Sequence, residues 1–193
     1  MIINSLNFKE DIGLFKREEN FDEQIKQLYK LKKQENSTDS FSNKNGWQKE
    51  IIDREEYIDI QKIIMNEFVN YFKKNIGIFK LKVEIIKFFV NINPPNAYHV
   101  MHFHEGGHFS GAFWLQADKD AGNLMIMNPF PNNFMANFTG KLKSSIKNFN
   151  HIQITPKSNL GVFFNSNIIH YVDVNRSKRD RIGFGYHIKI SDK

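Results

Sequence analysis

Cysteine is absent, so no disulfide staples this chain and no thiolate is available to a metal. Any metal must take nitrogen or oxygen ligands. The absence also fits a reducing compartment. Long apolar runs are missing as well. None reaches the ~18 residues expected of a spanning helix, and the N-terminus carries no signal-type apolar segment. These two absences lead us to expect a cytosolic protein with no membrane partner. Acidic residues are fewer than basic ones, 21 against 27, which leaves a net charge of +6. The basic residues fall in the stretches 26–33, 73–82, 141–147 and 176–181. Solvated faces are the favoured account of them. Attraction to an acidic substrate or to nucleic acid is the other.

Phenylalanine is plentiful, at 19 of 193 residues, and predicts a core of flat, bulky side chains. Hydrophobic content of 40% and charged content of 25% describe an ordinary globular chain. Its length suits one domain over 1–193, with no linker or internal repeat. Residues 1–80 read as a mainly helical N-terminal part and 81–193 as the core.

Periodicity divides the chain the same way. Phe8, Ile12, Leu14 and Phe15 suit a short edge strand or an arm. Phe21, Ile25, Leu28 and Leu31 recur at helical spacing and predict a helix over 20–35. Phe41 to Gln48 reads as a polar loop whose Trp47 packs at a core edge or lines a pocket. Asp53-Arg54-Glu55-Glu56 has the form of a capping box. It predicts a helix to about Lys74 with Ile60, Ile64, Phe68 and Tyr71 on its buried face. From residue 81 the period changes to two. Strands are expected over 84–92, 98–104, 108–116, 123–128, 151–155, 161–164, 168–173 and 181–190, separated by Gly, Pro and Asn turn signals. Residues 131–150 read as a long polar surface connection. Helices first and many short strands afterwards predict an α+β fold whose core is a β-sandwich or jelly roll.

Histidines concentrate in one place. Tyr98-His99-Val100-Met101-His102-Phe103-His104-Glu105-Gly106-Gly107-His108 holds four of the seven. His102 and His104 are two apart, so a strand projects both from one face. Two imidazoles so held are half of a metal site, and His170, after a strand-like run, is the best third ligand. Arg181 follows eleven residues later, opening another strand. A metal with a bound anion beside it is the reading, set against a chance HxH in a strand. His99 and His108 read as pocket or surface residues, and His151 and His187 as structural ones.

These residues carry a resemblance. The C-terminal half is similar to the 2-oxoglutarate/Fe(II)-dependent oxygenases of the double-stranded β-helix superfamily. The similarity is to the small bacterial and phage branch with an H-x-H…SG-x-x-[YW]-L signature. That signature reads here as His102-Phe103-His104, then Ser110-Gly111-Ala112-Phe113-Trp114-Leu115. The motif G-x-L-x-[FI]-x-[DN]-P is matched by Gly122-Asn123-Leu124-Met125-Ile126-Met127-Asn128-Pro129. The distal strand resembles Gly161 to His170, and the R-[IV]-[SG]-[IF] end resembles Arg181-Ile182-Gly183-Phe184. Ser42-Asn43-Lys44-Asn45-Gly46-Trp47-Gln48 is similar to the upstream S-N-x-x-G-W-Q. The match runs in order over about 37–190. Each motif alone is weak, and together they are fairly specific.

The resemblance implies Fe(II), 2-oxoglutarate as co-substrate and O2, with release of succinate and CO2 and hydroxylation of a small molecule or side chain. It implies a jelly roll with helices on its outside. His102, His104 and His170 become the metal ligands, and Arg181 the bidentate anchor of the far carboxylate. The wider superfamily has a carboxylate where this chain has His104. Glu105 would substitute if the strand bends at Glu105-Gly106-Gly107. Tyr98, Trp114 and Asn128 are candidates for co-substrate binding, with core packing an equal account of each. Gly183 stands where a Ser is often found. The resemblance also places the protein in the cytoplasm of a bacterium or a phage-infected host, and admits a homodimer.

Two other classes compete. A cupin-like metal protein shares the barrel and the HxH. The Glu it needs, four or five residues after the second His, is absent: His108 and Phe109 stand there. Arg181 would have no role in it. A basic nucleic-acid-binding jelly roll without metal is the other, and retention of His102, His170 and Arg181 together argues against it.

Overall fold

The computed structural model describes residues 12–38, 40–75, 81–129 and 151–192. Eleven strands and two α-helices succeed one another among them. The first part holds β1 (Gly13–Lys16), α1 (Asp22–Gln34), β2 (Asn43–Lys44), β3 (Trp47–Glu50) and α2 (Ile58–Asn75). Then come β4 (Leu81–Asn93), β5 (Tyr98–His102), β6 (Phe109–Gln116), β7 (Leu124–Met127), β8 (His151–Ile154), β9 (Leu160–Asn165), β10 (His170–Val172) and β11 (Arg181–Asp192). One sheet has the order β1-β9-β6-β11-β4-β3 and the other β2-β5-β10-β7-β8. Every pairing between them is antiparallel. The two sheets make the expected α+β jelly roll.

The period of two in β4 and β11 assigns the faces of the six-stranded sheet. Phe88, Val90 and Ile92, with Ile182, Phe184, Tyr186 and Ile188, pack outward into a core shared with α1 and α2. The intervening residues, Lys87, Phe89, Asn91 and Asn93 with Arg181, Gly183, Gly185 and His187, line the interior cavity. Such alternation follows from the pleat alone. A smaller cluster, including Trp114, Leu124, Ile126, Val162, Phe164 and Ile168, fills the barrel beside the cavity.

Helix α2 covers the outer face with Ile60, Ile64 and Phe68. None of its residues lines the cavity. Phe68 is fully buried, edge-on to Phe109 and Phe163 at ring distances of 5.0 and 5.3 Å. The helix starts later than the capping box predicts. Ile51 is tied to β4 through the Phe88 carbonyl, and the chain turns there before a 3-10 turn at Glu55–Tyr57. Arg54 is drawn to Glu35 rather than left to a helix start, and no side chain caps this end. The α-helix therefore begins at Ile58.

The expected polar loop at 41–48 contains β2 and β3, so the N-terminal part contributes strands as well as helices. The two strands belong to different sheets, and the Asn45-Gly46 turn between them ties both edges together. Asn45 is left-handed at φ 60°. A Cβ on Gly46 would lie 2.3 Å from Asn43 Oδ1 and 2.4 Å from Asn93 Nδ2, so only glycine lets that contact form. Trp47 packs in the outer core and donates from Nε1 to the Glu35 carbonyl. Phe8 and the connection at 131–150, with its basic stretch at 141–147, lie outside the described residues. Among the described residues, no helix is long and apolar enough to cross a membrane.

Replacing Phe68 with Ala should cost about 3–5 kcal/mol of stability. Urea unfolding measures this, and the per-molecule chemistry of protein still folded should be unchanged.

Candidate active site

The site is built on the pairing of β5 with β10. His170 lies directly across from His102, and β10 is held on its other side by β7, with His170 opposite Ile126. The opposed rings are 4.3 Å apart between centroids. His104, just past the end of β5, is tied down by its backbone N–H to the Ser166 carbonyl at 2.9 Å. Its ring lies 4.9 Å from His102 and 4.7 Å from His170. The donor atoms of the three histidines lie within 4.8 Å of one another and can converge on one ion.

Two of these rings are already oriented. His102 Nδ1 lies 2.7 Å from the Val100 carbonyl and His170 Nδ1 lies 2.9 Å from the Ile168 carbonyl. A carbonyl accepts only, so each Nδ1 carries the proton and leaves the Nε2 lone pair free. His104 Nδ1 is buried without a hydrogen-bond partner. Burial is the main cause that lowers the pKa of all three rings, and pushes His170 down to about 3. For His104 the neighbouring His187, His170 and His102 add to the effect. All three are neutral at pH 7, the form that binds metals.

The cavity beneath them has a volume of about 860 Å³. Its floor is a ladder of cross-strand pairs from β11 and β4: Arg181 with Asn93, Gly183 with Asn91, Gly185 with Phe89, and His187 with Lys87. Arg181 is 3% exposed. Its Nη1 donates to the Ala121 carbonyl and, more weakly, to those of Gly122 and Asp173. Its Nη2 is buried and has no partner in the protein. Burial pushes this guanidinium down to about 10, against the opposing effect of Asp173, so it stays charged at neutral pH.

Several sequence expectations meet a different geometry. Tyr98 does not line the cavity, because β5 is bulged. His170 and Val172, two apart, pair with His102 and His99, three apart. The extra residue in β5 inverts the alternation and puts His99 on the cavity face in place of Tyr98. Asn128 is buried outside the lining, while Trp114 does line it. Glu105 is exposed at the cavity wall. His108 is exposed and accepts the Ile190 backbone N–H. His151 lies on β8, away from the cavity.

His187 also stands in this cavity. Expected to be structural, it lines the cavity and stacks on His104 at 4.1 Å. Burial first, then Lys87, pushes it down to about 4. Its signal was parity: it stands six residues after Arg181, hence on the same face of β11.

The family described as "Putative 2OG-Fe(II) oxygenase" matches residues 87–187, just over half of the chain. That span includes every histidine of the cluster and Arg181. No curated protein sequence matches. Solved structures do. A Pseudomonas putida prolyl-4-hydroxylase is similar at 13% identity and a TM-score of 0.62, over 93% of this chain and 92% of that one. The viral collagen prolyl hydroxylase of Paramecium Bursaria Chlorella virus-1, in complex with 2OG, is similar at 16% identity and 0.58, over 92% and 95%. The epimerase SnoN, with Fe3+, alpha ketoglutarate and nogalamycin RO, is similar at 9% identity and 0.68, over 96% and 83%. These likenesses show the shared fold.

The two floor glycines should respond differently to a methyl group. A Cβ on Gly183 would lie 2.5 Å from the Phe113 carbonyl oxygen and 2.9 Å from Trp114 Cα, backbone atoms that cannot give way. The Ser often found here would not fit this backbone. On Gly185 the nearest atom would be Asn91 Nδ2 at 3.5 Å, an ordinary contact. Gly183→Ala should destabilise by about 1–3 kcal/mol, whereas Gly185→Ala should be neutral to slightly stabilising. Paired urea titrations check the difference.

Proposed function

Because this chain belongs to the 2OG-Fe(II) oxygenase family, we propose that His102, His104 and His170 hold its iron and that Arg181 receives the far carboxylate of 2-oxoglutarate. The protein is an Fe(II)- and 2-oxoglutarate-dependent oxygenase. The observation that carries the residue assignment is the pair of fixed tautomers. His102 and His170 both give their Nδ1 proton to a backbone carbonyl, and so aim unprotonated Nε2 atoms into a cluster that includes His104.

The residues fit the group. Neutral imidazole nitrogens suit Fe(II), and three of them leave coordination positions open. Arg181 fits the co-substrate because its Nη2 is a buried donor lacking a partner, and such a donor costs free energy until an anion satisfies it. His104 is preferred to Glu105 as third ligand, since its ring nitrogen lies with the other two while Glu105 is exposed. When bound, the iron supplies O2 chemistry that couples conversion of 2-oxoglutarate to succinate and CO2 with hydroxylation of the prime substrate.

The chain's own residues bind, orient and exclude. The backbone carbonyls of Val100 and Ile168 fix two ring orientations. Arg181 fixes the co-substrate's far end, and Trp114, Leu124 and Val172 on the wall keep that end apolar. The bare floor at Gly185, where even a Cβ would meet nothing nearer than 3.5 Å, leaves space beside it. Phe41, Met101, Phe103 and Ile169 are exposed apolar side chains along the cavity lining. They suit a small molecule or side chain with an apolar portion as the prime substrate. A cupin-like reading leaves the buried Arg181 without a purpose.

Two variants test the assignment. His170→Ala should abolish stoichiometric Fe(II) binding under anaerobic conditions, and wild-type iron affinity would refute the ligand set. Arg181→Ala should keep iron but raise the KM for 2-oxoglutarate at least about thirtyfold in decarboxylation without prime substrate. An unchanged KM would remove Arg181 from this role.

A further inference from the structure

His99 is a histidine that no part of the site yet accounts for. The bulge in β5 turns it onto the face shared by His102, His170 and Val172. Its ring lies 6.4 Å from that of His102 and within 25° of parallel to it. The wall around it includes Val172 and Leu124, both apolar, and the guanidinium of Arg181 is near enough to disfavour a charge on it. Burial is the larger reason that its pKa falls well below the usual value. A neutral imidazole so placed offers one N–H and one lone pair. No described residue forms a hydrogen bond with either ring nitrogen, unlike His102 and His170, whose Nδ1 atoms meet backbone carbonyls.

Arg181 alone does not satisfy every acceptor position of a carboxylate here. Its Nη1 is already committed to main-chain carbonyls, which leaves Nη2 as the free terminal nitrogen. A carboxylate has room for about four hydrogen bonds. A second donor on the same wall would fill acceptor positions of the carboxylate that the free edge of the guanidinium leaves open.

We propose that His99 is a co-substrate-binding residue: its ring N–H donates to the distal carboxylate of 2-oxoglutarate alongside Arg181 Nη2. The bulge exists in β5 at the point where it exchanges a tyrosine for this imidazole. This proposal rests on the assignment of Arg181 made above, and goes beyond it in naming the second donor and the strand irregularity that delivers it.

The test compares two 2-oxo acids on Fe(II)-loaded protein by anaerobic calorimetry. One is 2-oxoglutarate, and the other is 2-oxopentanoate, which has the same chain length and no distal carboxylate. His99→Phe fills the space without a donor. It should weaken 2-oxoglutarate about tenfold or more, the loss expected of a hydrogen bond to a charged group. Affinity for 2-oxopentanoate and for Fe(II) should be unchanged. His99→Gln, which restores a donor, should recover part of the loss. The proposal is overturned if His99→Phe weakens both acids equally or neither. If the phenylalanine variant melts early, the ratio of the two affinities in His99→Ala gives the same reading. Loss of 2-oxoglutarate discrimination in Arg181→Ala alone would sink the role of His99 and leave that of Arg181 standing. A wild-type protein with no preference for 2-oxoglutarate over 2-oxopentanoate would sink both.

Discussion

Register between β5 and β10 is the constraint on which the site depends. His102 and His170 face each other only because β10 is locked between β5 and β7 with His170 opposite both His102 and Ile126. A slip of one residue would turn every side chain of that strand to the other face. Three residues are a short strand to hold a catalytic register. The pairing to two neighbours and the burial of Ile126 and Ile168 beside it supply the hold. The six-stranded sheet plays the complementary part. Its long β4–β11 pair runs from the floor of the cavity to the outer core, so Phe184 and Tyr186 anchor on the helix side while Arg181 and His187 face inward.

The interior is expensive in polar groups. Arg181 and His170 are almost fully buried, and His187 is 8% exposed. Buried polar atoms without partners are rare in folded proteins, and four of those among the described residues, Gln48 Oε1, His104 Nδ1, His187 Nδ1 and Arg181 Nη2, belong to residues of one cavity. The outer core, built from phenylalanine on both helix and sheet, offsets such costs. Phe88 stacks on Phe184 at 4.9 Å, and Phe15 on Phe163 at 5.0 Å. Stability is concentrated on one side of the six-stranded sheet and chemistry on the other.

That division explains what was legible in the sequence. Alternation in residues 81–93 and 181–192 is long and strong, so the central strands and their faces could be read directly. Helix α2 was legible from its apolar stripe, but its start was not, since Asp53 and Glu56 satisfy the capping pattern while Arg54 and Ile51 are committed elsewhere. Strands β2 and β3 escaped because two- and four-residue polar strands carry no period. The bulge in β5 has no glycine or proline to mark it, so even spacing from His102 points to Tyr98 on the face that His99 occupies. His187 shares a face with Arg181 through its even spacing, although no motif includes it.

A third histidine ligand in place of a carboxylate, as proposed for His104, would alter the electrostatics of the whole cavity. On the proposed ligand set, the protein brings no negative charge to the iron. Fe(II) carries two positive charges and Arg181 a third, against two negative charges from 2-oxoglutarate. One positive charge remains where a carboxylate ligand would leave none. Lys87, Glu50 and Glu105 stand exposed at the cavity's edge, so none of them neutralises this charge from within. Excess charge in a desolvated cavity is costly, so the rings cannot be allowed to protonate as well. Burial enforces this by lowering the pKa of His102, His104, His170 and His187 together. Desolvation thus keeps the lone pairs available. Three neutral nitrogens also suit copper and zinc, so these ligands alone do not select iron, and geometry and metal supply must.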